Sequence, residues 1–211
     1  MNKRVAFASA VAMTAASLPV MAAPLAYDYV DLSYVVNTEL ESASGIDGDG
    51  YGIEASVGLG DYFYVAGEAT GRDLDVSGTI FAYDTLSIGA GAHYTFADVY
   101  RKASLDLYGG LSYDRQSDDV VGVGKLDGYG AEAGVRVGID NFLELFVSVD
   151  YSDLSAENTD LDTALLGYTV GGVFQFTEKL GVLASYFSGE YDDDLDTLEL
   201  SEWRVGARFS F

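Results

Sequence analysis

The last nine residues of the chain, Trp203–Phe211, alternate strictly between two kinds of side chain. Aromatic and aliphatic residues occupy the odd positions, whereas two arginines, a glycine and a serine occupy the even positions. Because successive side chains of a β-strand point to opposite faces, this pattern predicts a strand with one apolar face and one polar, charged face. Such a strand would fit a transmembrane barrel, with its apolar face against lipid and its polar face toward a water-containing interior.

The N-terminal residues predict export from the cytoplasm. Lys3 and Arg4 precede a weakly apolar stretch at residues 5–20, and a cleavage site for a signal peptidase follows at Ala22. We predict that residues 1–22 are a signal peptide and that residues 23–211 form a single barrel domain. A membrane anchor is the less favoured alternative, because the stretch is short and rich in alanine, serine and threonine.

Composition excludes several functions. The chain has 34 acidic residues, 11 basic residues and no cysteine. Removal of the signal would leave 11 − 2 = 9 basic residues and a formal charge of 9 − 34 = −25. Such an anionic surface does not bind nucleic acid. The absence of cysteine excludes disulfide bonds, thiolate catalysis and thiolate zinc sites.

Alternation of apolar and polar residues continues through most of the chain, which also contains 25 glycines and 16 tyrosines. We predict an all-β, membrane-spanning, up-and-down antiparallel β-barrel of ten strands, with eight or twelve strands as alternatives. The first strand should pair with the last. The predicted strands lie near residues 27–37, 50–60, 62–71, 84–96, 103–115, 127–139, 142–153, 165–176, 179–189 and 200–211. Between them, short turns alternate with longer acidic segments, which is the asymmetry of a transmembrane barrel.

A repeated segment supports a hairpin as the building unit. Asp49–Ala55 reads D-G-Y-G-I-E-A, and Asp127–Ala133 reads D-G-Y-G-A-E-A, which is 127 − 49 = 78 residues, or two hairpins, later. Tyr168 and Trp203 fall at corresponding places in later strands. The repeat therefore indicates one domain made of hairpins, without a linker.

Aromatic residues are predicted to gather at both ends of the outward face, as the two interfaces of a bilayer favour. Those near the long loops are Tyr51, Tyr113, Tyr129, Tyr151, Tyr168 and Trp203. Those near the short turns are Phe63, Tyr94, Phe96, Phe174, Phe176, Phe209 and Phe211. A soluble β-sandwich would have to hide such an aromatic face in its core, and the export signal favours the membrane barrel instead.

The signal, the repeated hairpins and the C-terminal W-R-V-G-A-R-F-S-F resemble small Gram-negative outer-membrane β-barrel proteins, over about residues 27–211. The resemblance implies a location in the cell outer membrane, among lipid and lipopolysaccharide. It also implies that the barrel-assembly machinery reads the last strand, with Trp203, Phe209 and Phe211 as the assembly signal. Porins, adhesins, proteases and lipid-modifying enzymes share this architecture, so the resemblance implies no particular activity.

The inward face is predicted to carry a lumen charge network. Because a barrel of about ten strands is narrow, acids and arginines inside it should pair and leave a mostly plugged polar lumen. A pore lined by the same charges is the alternative. The network residues are Glu54, Glu132, Arg136, Arg204 and Arg208, and the other predicted inward residues are Asp31, Glu68, His93, Asp106, Glu144, Asp150 and Glu202.

The predicted outer loops are acidic, and we interpret them as a rim of acidic side chains exposed to solvent. Clustered carboxylates can ligate Ca²⁺ or Mg²⁺, and Asp192, Asp193, Asp194 and Asp196 are the candidates. That run lacks the spacing and the glycine of an EF-hand loop, so no specific metal site is predicted. We expect no cofactor beyond loosely bound Ca²⁺ or Mg²⁺ at these loops.

The single histidine, His93, is predicted to lie inside the barrel near the short turns. Proteases and lipid A-modifying enzymes of this architecture typically act at the outer rim, so His93 is better explained as an interior hydrogen-bond partner than as a catalytic base. We predict a monomeric, non-enzymatic barrel with a structural or surface-interaction role. The alternative is a small-solute, porin-like channel, and a protease or lipid A-modifying enzyme is the remote alternative.

Overall fold

The computed structural model is a closed antiparallel barrel of ten strands and describes residues 25–41, 46–76, 78–100, 103–118, 124–156, 162–192 and 197–211. The strands are β1 Tyr29–Glu41, β2 Ile46–Leu59, β3 Phe63–Val76, β4 Thr79–Tyr100, β5 Ala103–Asp118, β6 Gly124–Ile139, β7 Leu143–Ala156, β8 Asp162–Gln175, β9 Leu180–Asp192 and β10 Thr197–Ser210. Consecutive strands pair, and β1 pairs with β10. The predicted fold class, strand count and closure are confirmed. The predicted signal peptide lies outside the described residues.

Short turns and both described chain ends lie at one end of the barrel, the turn end. There, β2 is joined to β3 through Gly60–Tyr62, and β6 is joined to β7 through Asp140–Phe142. The first residue of each turn has a positive φ, 73° at Gly60 and 49° at Asp140, which glycine and aspartate tolerate better than most residues. Two of the predicted turns are confirmed by this geometry.

The strands continue further than predicted at the opposite end, the loop end. β3 runs to Val76 and β4 begins at Thr79, where a loop over residues 72–83 was predicted. This prediction was wrong because the outward positions change from apolar to acidic, as at Asp73 and Asp75, while the alternation itself continues. The ladder therefore extends beyond the lipid, with water on its outer face.

A second boundary also differs from the prediction. β4 was expected to end near residue 96 but continues to Tyr100, whose backbone pairs with Ala103 of β5. The register shifts between Phe96 and Tyr100, so the ladder resumes after an irregularity. A pattern search that requires strict alternation ends the strand at such a shift.

The outward face forms a continuous apolar belt between two aromatic girdles. Leu111 and Val147, in the middle of their strands, are 72 % and 51 % exposed. All the aromatic residues predicted for the two girdles are exposed as well. Neighbouring rings touch, as in the Tyr113–Tyr129 pair at a centroid distance of 5.9 Å. A surface this apolar is the one that a membrane-spanning barrel presents to lipid.

The interior is polar where a soluble domain would have an apolar core. Asp106 is fully buried, and Asp31, Glu144 and Glu202 are at most 2 % exposed. Within the described residues, no helix is long and apolar enough to cross a membrane. The strands thus separate an apolar outer surface from a lumen that contains buried charged side chains. The candidate functional groups therefore lie in the lumen.

A charge placed in the belt tests its position. Val147 lies midway between Leu143 and Tyr151 on β7, and Val147→Arg should lower the free energy of unfolding by about 2–4 kcal/mol, the cost of an arginine at the bilayer midplane. The matched variant Ile80→Arg, at an exposed position on the loop-end part of β4, should cost less than about 1 kcal/mol. Reversible unfolding in phospholipid vesicles measures both, and equal costs would contradict the proposed height of the belt.

The barrel lumen as the candidate functional site

The seam between the first and last strands carries a buried ion pair. Arg208 of β10 lies opposite Asp31 of β1 in the closing ladder. Its Nε and Nη2 atoms donate to the two carboxylate oxygens of Asp31 at 2.9 and 2.7 Å, and its Nη1 donates to Glu144 of β7 at 3.2 Å. Two-point pairing of this kind is stronger and more directional than a single hydrogen bond.

Residues just before β1 complete a cluster at the turn end. Arg136 donates through Nε to Glu144 at 2.9 Å and through Nη2 to the Ala26 carbonyl at 3.2 Å, and its guanidinium lies 4.6 Å from the Tyr27 ring centroid. Ala26 and Tyr27, just before β1, therefore contact the lumen side chain of Arg136. We call this set of residues the turn-end layer: Tyr27, Asp31, Arg136, Glu144 and Arg208.

The sequence reasoning missed this N-terminal insertion. It assigned residue 27 to the first strand, whereas β1 begins at Tyr29. Tyr27 instead reaches across the lumen and donates to Asp106 Oδ2 of β5 at 2.5 Å. The available signal was parity, because Leu25 and Tyr27 continue the inward series of Tyr29 and Asp31 and all are buried.

His93 lies where the sequence predicted, inside the barrel near the turn end. Its Nδ1 atom is 3.2 Å from Asp106 Oδ1, and its ring centroid is 4.1 Å from that of Tyr27. Thr95 also donates to Asp106, at 2.5 Å. The histidine is thus one member of an interior hydrogen-bonded cluster.

A second set of cross-lumen contacts lies toward the loop end. Arg204 pairs with Glu68 at 2.5 Å and with Glu202, and Arg72 pairs with Glu202 at 2.5 Å. Above them, the hydroxyls of Tyr83 on β4 and Tyr191 on β9 are hydrogen-bonded at 2.8 Å. β4 and β9 are five places apart in the closed order of ten strands, so this contact spans the barrel. We call this set the loop-end layer: Glu68, Arg72, Tyr83, Tyr191, Glu202 and Arg204.

The three arginines of the predicted charge network lie in two layers, whereas its two glutamates belong to neither. Arg136 and Arg208 meet at Glu144, whereas Arg204 belongs to the loop-end layer. The carboxylates that pair with these arginines are Asp31, Glu68, Glu144 and Glu202. Glu54 and Glu132 face the lumen but pair with no arginine or lysine among the described residues. Glu54 accepts a hydrogen bond of 2.5 Å from the Tyr29 hydroxyl, and Glu132 lies beside Tyr108.

The lumen contains a cavity of about 360 Å³, whose wall carries polar and apolar side chains and includes residues of both layers. Strands from the whole circumference contribute to its wall. Polar residues of the wall include Glu54, Ser56, Tyr64, Tyr108, Glu132 and Asp150. The lumen is therefore partly filled: its two ends are crossed by side chains and its middle is open.

The outer surface carries few ion pairs in the described residues. Beyond the girdle, Arg115 donates to Asp127 at 2.6 Å, and this hydrogen bond lowers the pKa of the Asp127 carboxyl. Asp192 is exposed at the end of β9, whereas Asp193, Asp194 and Asp196 lie outside the described residues. The described part of the chain contains no group of three or more histidines and carboxylates placed to hold a metal ion.

The three residues predicted as an assembly signal share the outward face of β10. Trp203 is 56 % exposed and contacts Tyr186 of β9 at a ring-centroid distance of 4.9 Å. Phe209 and Phe211 lie near the turn end, also exposed. Their recognition by an assembly machinery stays a prediction.

Removal of one buried carboxylate tests the turn-end layer. Glu144→Gln would leave Arg136 without a carboxylate partner, and we expect the free energy of unfolding to fall by about 3–5 kcal/mol, as for other broken buried pairs. Asp127→Asn makes the same chemical change in an exposed pair and should leave stability nearly unchanged, because water screens that pair. Urea unfolding in vesicles gives both values. A Glu144→Gln variant as stable as Asp127→Asn would mean that the buried pairs do not hold the barrel.

No protein-family model and no curated protein sequence matches the chain. Three similar solved structures are Neisserial surface protein A, the attachment invasion locus protein Ail of Yersinia pestis, and outer membrane phospholipase A from Escherichia coli. Their identities are 18, 18 and 10 % and their TM-scores 0.47, 0.39 and 0.39. They cover 87, 87 and 88 % of this chain and 96, 97 and 97 % of their own chains. The structures that this chain resembles are thus small outer-membrane β-barrel proteins.

Proposed function

We propose that this chain is a monomeric, non-enzymatic barrel of the bacterial outer membrane, without a diffusion pore, whose role is structural or lies in surface interaction. The observation that carries the proposal is the pair of side-chain layers that cross the lumen. The exposed apolar belt and its aromatic girdles support the membrane location. The predicted signal peptide supports export, and lipid and lipopolysaccharide would surround the barrel.

Closure of the lumen at two heights supports the absence of a pore. At the turn end, the contact between Arg136 and the Ala26 carbonyl joins β6 to the segment before β1, which stands on the opposite wall. At the loop end, the Tyr83–Tyr191 hydrogen bond joins opposite walls as well. A hydrated ion would have to break contacts of both layers to pass, and the buried arginine–carboxylate pairs make that costly.

The loop end provides the surface for interaction. Its strands project beyond the girdle with outward carboxylates, including Asp47, Asp49, Asp73, Asp75 and Glu190. A projecting surface of one charge sign attracts cations and cationic partners, over a range that salt shortens. We propose that the loops and strand extensions meet divalent cations or other surfaces there, with Ca²⁺ or Mg²⁺ only loosely bound.

The surroundings of His93 support a non-enzymatic role. Its acidic partner, Asp106, accepts hydrogen bonds from Thr95 and Tyr27 and is fully buried. The Tyr27 ring lies against the imidazole. A substrate arriving from the membrane surface could not reach this cluster without displacing the turn-end layer, and a general base must be within hydrogen-bond reach of its substrate.

A small-solute channel is the second candidate, and the cavity of about 360 Å³ is the observation that favours it. In that case Arg136 and Arg204 would line the path and set its selectivity. The cavity would then be the middle of a conducting route whose two ends open.

Single-channel recording separates the two candidates. We expect refolded protein without residues 1–22 to give no discrete current steps in a planar bilayer, with folding verified by heat-modifiable gel mobility. A variant that removes contacts of both layers, Tyr27→Ala/Arg136→Ala/Tyr83→Ala/Arg204→Ala, should lower stability and produce small cation-selective steps, because the acidic lumen would then be open at its turn end and at its loop end. Arg115→Ala, which removes an outward arginine, is the matched control and should stay silent.

Reproducible steps from the folded wild-type protein would contradict the proposed closed barrel. A change of ion selectivity in Arg136→Ala, without loss of stability, would then assign this arginine to a pore. Silence from both the wild type and the folded quadruple variant would mean that other side chains close the lumen, and would contradict the role of the two layers.

A further inference from the structure

We propose that residues 25–27 form a lid at the turn end of the lumen, which undocks and docks again while the barrel stays closed. We call these residues the strap. This movement goes beyond the structural role proposed above. An undocked strap would connect the cavity to the turn end, while the loop-end layer would still prevent conduction.

The strap lies outside the strand ladder. β1 begins at Tyr29, and its pairing with β10 begins at the same residue. Asp28, between the strap and β1, is held on both sides. The Gly58 amide donates to its Oδ1 atom at 2.9 Å, and the Phe211 amide donates to its carbonyl at 3.1 Å. Asp28 is therefore a fixed point about which the strap can turn, and the ladders on both sides of β1 remain intact when the strap undocks.

The polar and ring contacts of the strap converge on Tyr27. Its ring centroid lies 4.7 Å from that of Tyr64 and 4.1 Å from that of His93, and its hydroxyl donates to Asp106 at 2.5 Å. The Arg136 guanidinium lies 4.6 Å from the same ring and also donates to a strap carbonyl. Because most of these contacts depend on one side chain, the docking free energy of the strap can be changed without altering any strand.

Docking of the strap depends on closure of the barrel. The partners of Tyr27 belong to β3, β4, β5 and β6, and β6 is five places from β1 in the closed order of ten strands. These partners surround Tyr27 only once the barrel is closed. Closure does not depend on docking in turn, because the ladder between β1 and β10 begins after the strap. A segment with such one-sided dependence can open at a lower free energy than the whole fold.

The docked strap forms part of the cavity wall. Tyr27, Tyr64 and Arg136 all line the cavity. Movement of the Tyr27 ring away from its partners would therefore open a path between the turn end and the cavity. The Tyr83–Tyr191 hydrogen bond would still cross the lumen at the other end.

A single cysteine in the cavity reports the position of the strap, because the chain has no cysteine of its own. Ser112 of β5 lines the cavity, and Ser112→Cys changes one atom of its side chain. Labelling of this thiol by a small cationic methanethiosulfonate reagent is followed in refolded, detergent-solubilised protein without residues 1–22. We expect slow labelling, and labelling about tenfold or more faster when Tyr27→Ala is added, because the ring contacts that hold the strap are lost.

Tyr62→Ala is the matched control, because it removes an exposed tyrosine at the turn end and should leave the labelling rate unchanged. Tyr27→Phe keeps the ring and removes the hydroxyl, so its rate should lie between those of the wild-type strap and Tyr27→Ala. Tyr83→Ala, in the loop-end layer, should change the rate less than Tyr27→Ala does.

Folding is checked by heat-modifiable gel mobility before and after labelling. Equal rates in Tyr27→Ala and Tyr62→Ala would overturn the proposal. Faster labelling in Tyr83→Ala alone would also overturn it, because the reagent would then enter at the loop end. Loss of the folded mobility as the label is taken up would mean that unfolding of the barrel, and not movement of the strap, exposes the thiol. If Tyr27→Ala does not refold, a Tyr27→Phe rate equal to that of Tyr62→Ala would overturn the proposal instead.

Discussion

Closure of the sheet between β1 and β10 is the constraint on which the other features of this barrel depend. Hydrocarbon offers no hydrogen bonds, so a sheet that spans a membrane cannot leave an edge strand unpaired. β1 and β10 pair from Tyr29 and Ser210 to Glu41 and Glu199, with one register shift after Val35. Arg208 and Asp31 add a buried ion pair across the same seam. The contacts of Arg208 with Glu144 then connect this seam to β7, three places away in the strand order.

Each strand directs alternate side chains outward and into the lumen, and the two faces differ in composition. The outward face is apolar in the middle, aromatic at both girdles and acidic beyond the loop-end girdle. The inward face carries buried charges together with aliphatic side chains such as Val35, Leu74 and Leu154, and it makes contacts across the lumen at both ends, with a cavity in between. Within the described lumen, paired arginines connect the walls, whereas Glu54, Glu132 and Asp150, which pair with no arginine, lie in the wall of the cavity.

Much of the fold could be predicted from the sequence because a period of two is a local property. The faces of Trp203–Phe211 and the hairpins that begin at Asp49 and Asp127 needed no knowledge of their neighbours. Salt-bridge partners could not be predicted, since strand stagger decides which inward residues meet. Arg204, for example, contacts Glu68 three places away in the strand order. The strand extensions at Asp73 and Asp75 were missed because acidic outward residues resemble a loop when water replaces lipid.

The insertion of Tyr27 into the lumen shows a different limit. Its inward direction follows from parity with Tyr29 and Asp31, but its partners, Asp106 and Arg136, belong to strands on the far side of the barrel. No local pattern relates residues so distant in the chain.

The coupling free energy between Asp31 and Arg208 is the measurement that tests this account most directly. A double-mutant cycle with Asp31→Asn and Arg208→Gln, followed by reversible unfolding in phospholipid vesicles, isolates the contribution of the seam pair. If the buried pair holds the first and last strands together, the coupling should be at least about 2 kcal/mol. A coupling below about 0.5 kcal/mol would mean that the two residues act independently, as surface pairs do, and would contradict the account of a barrel locked at its seam.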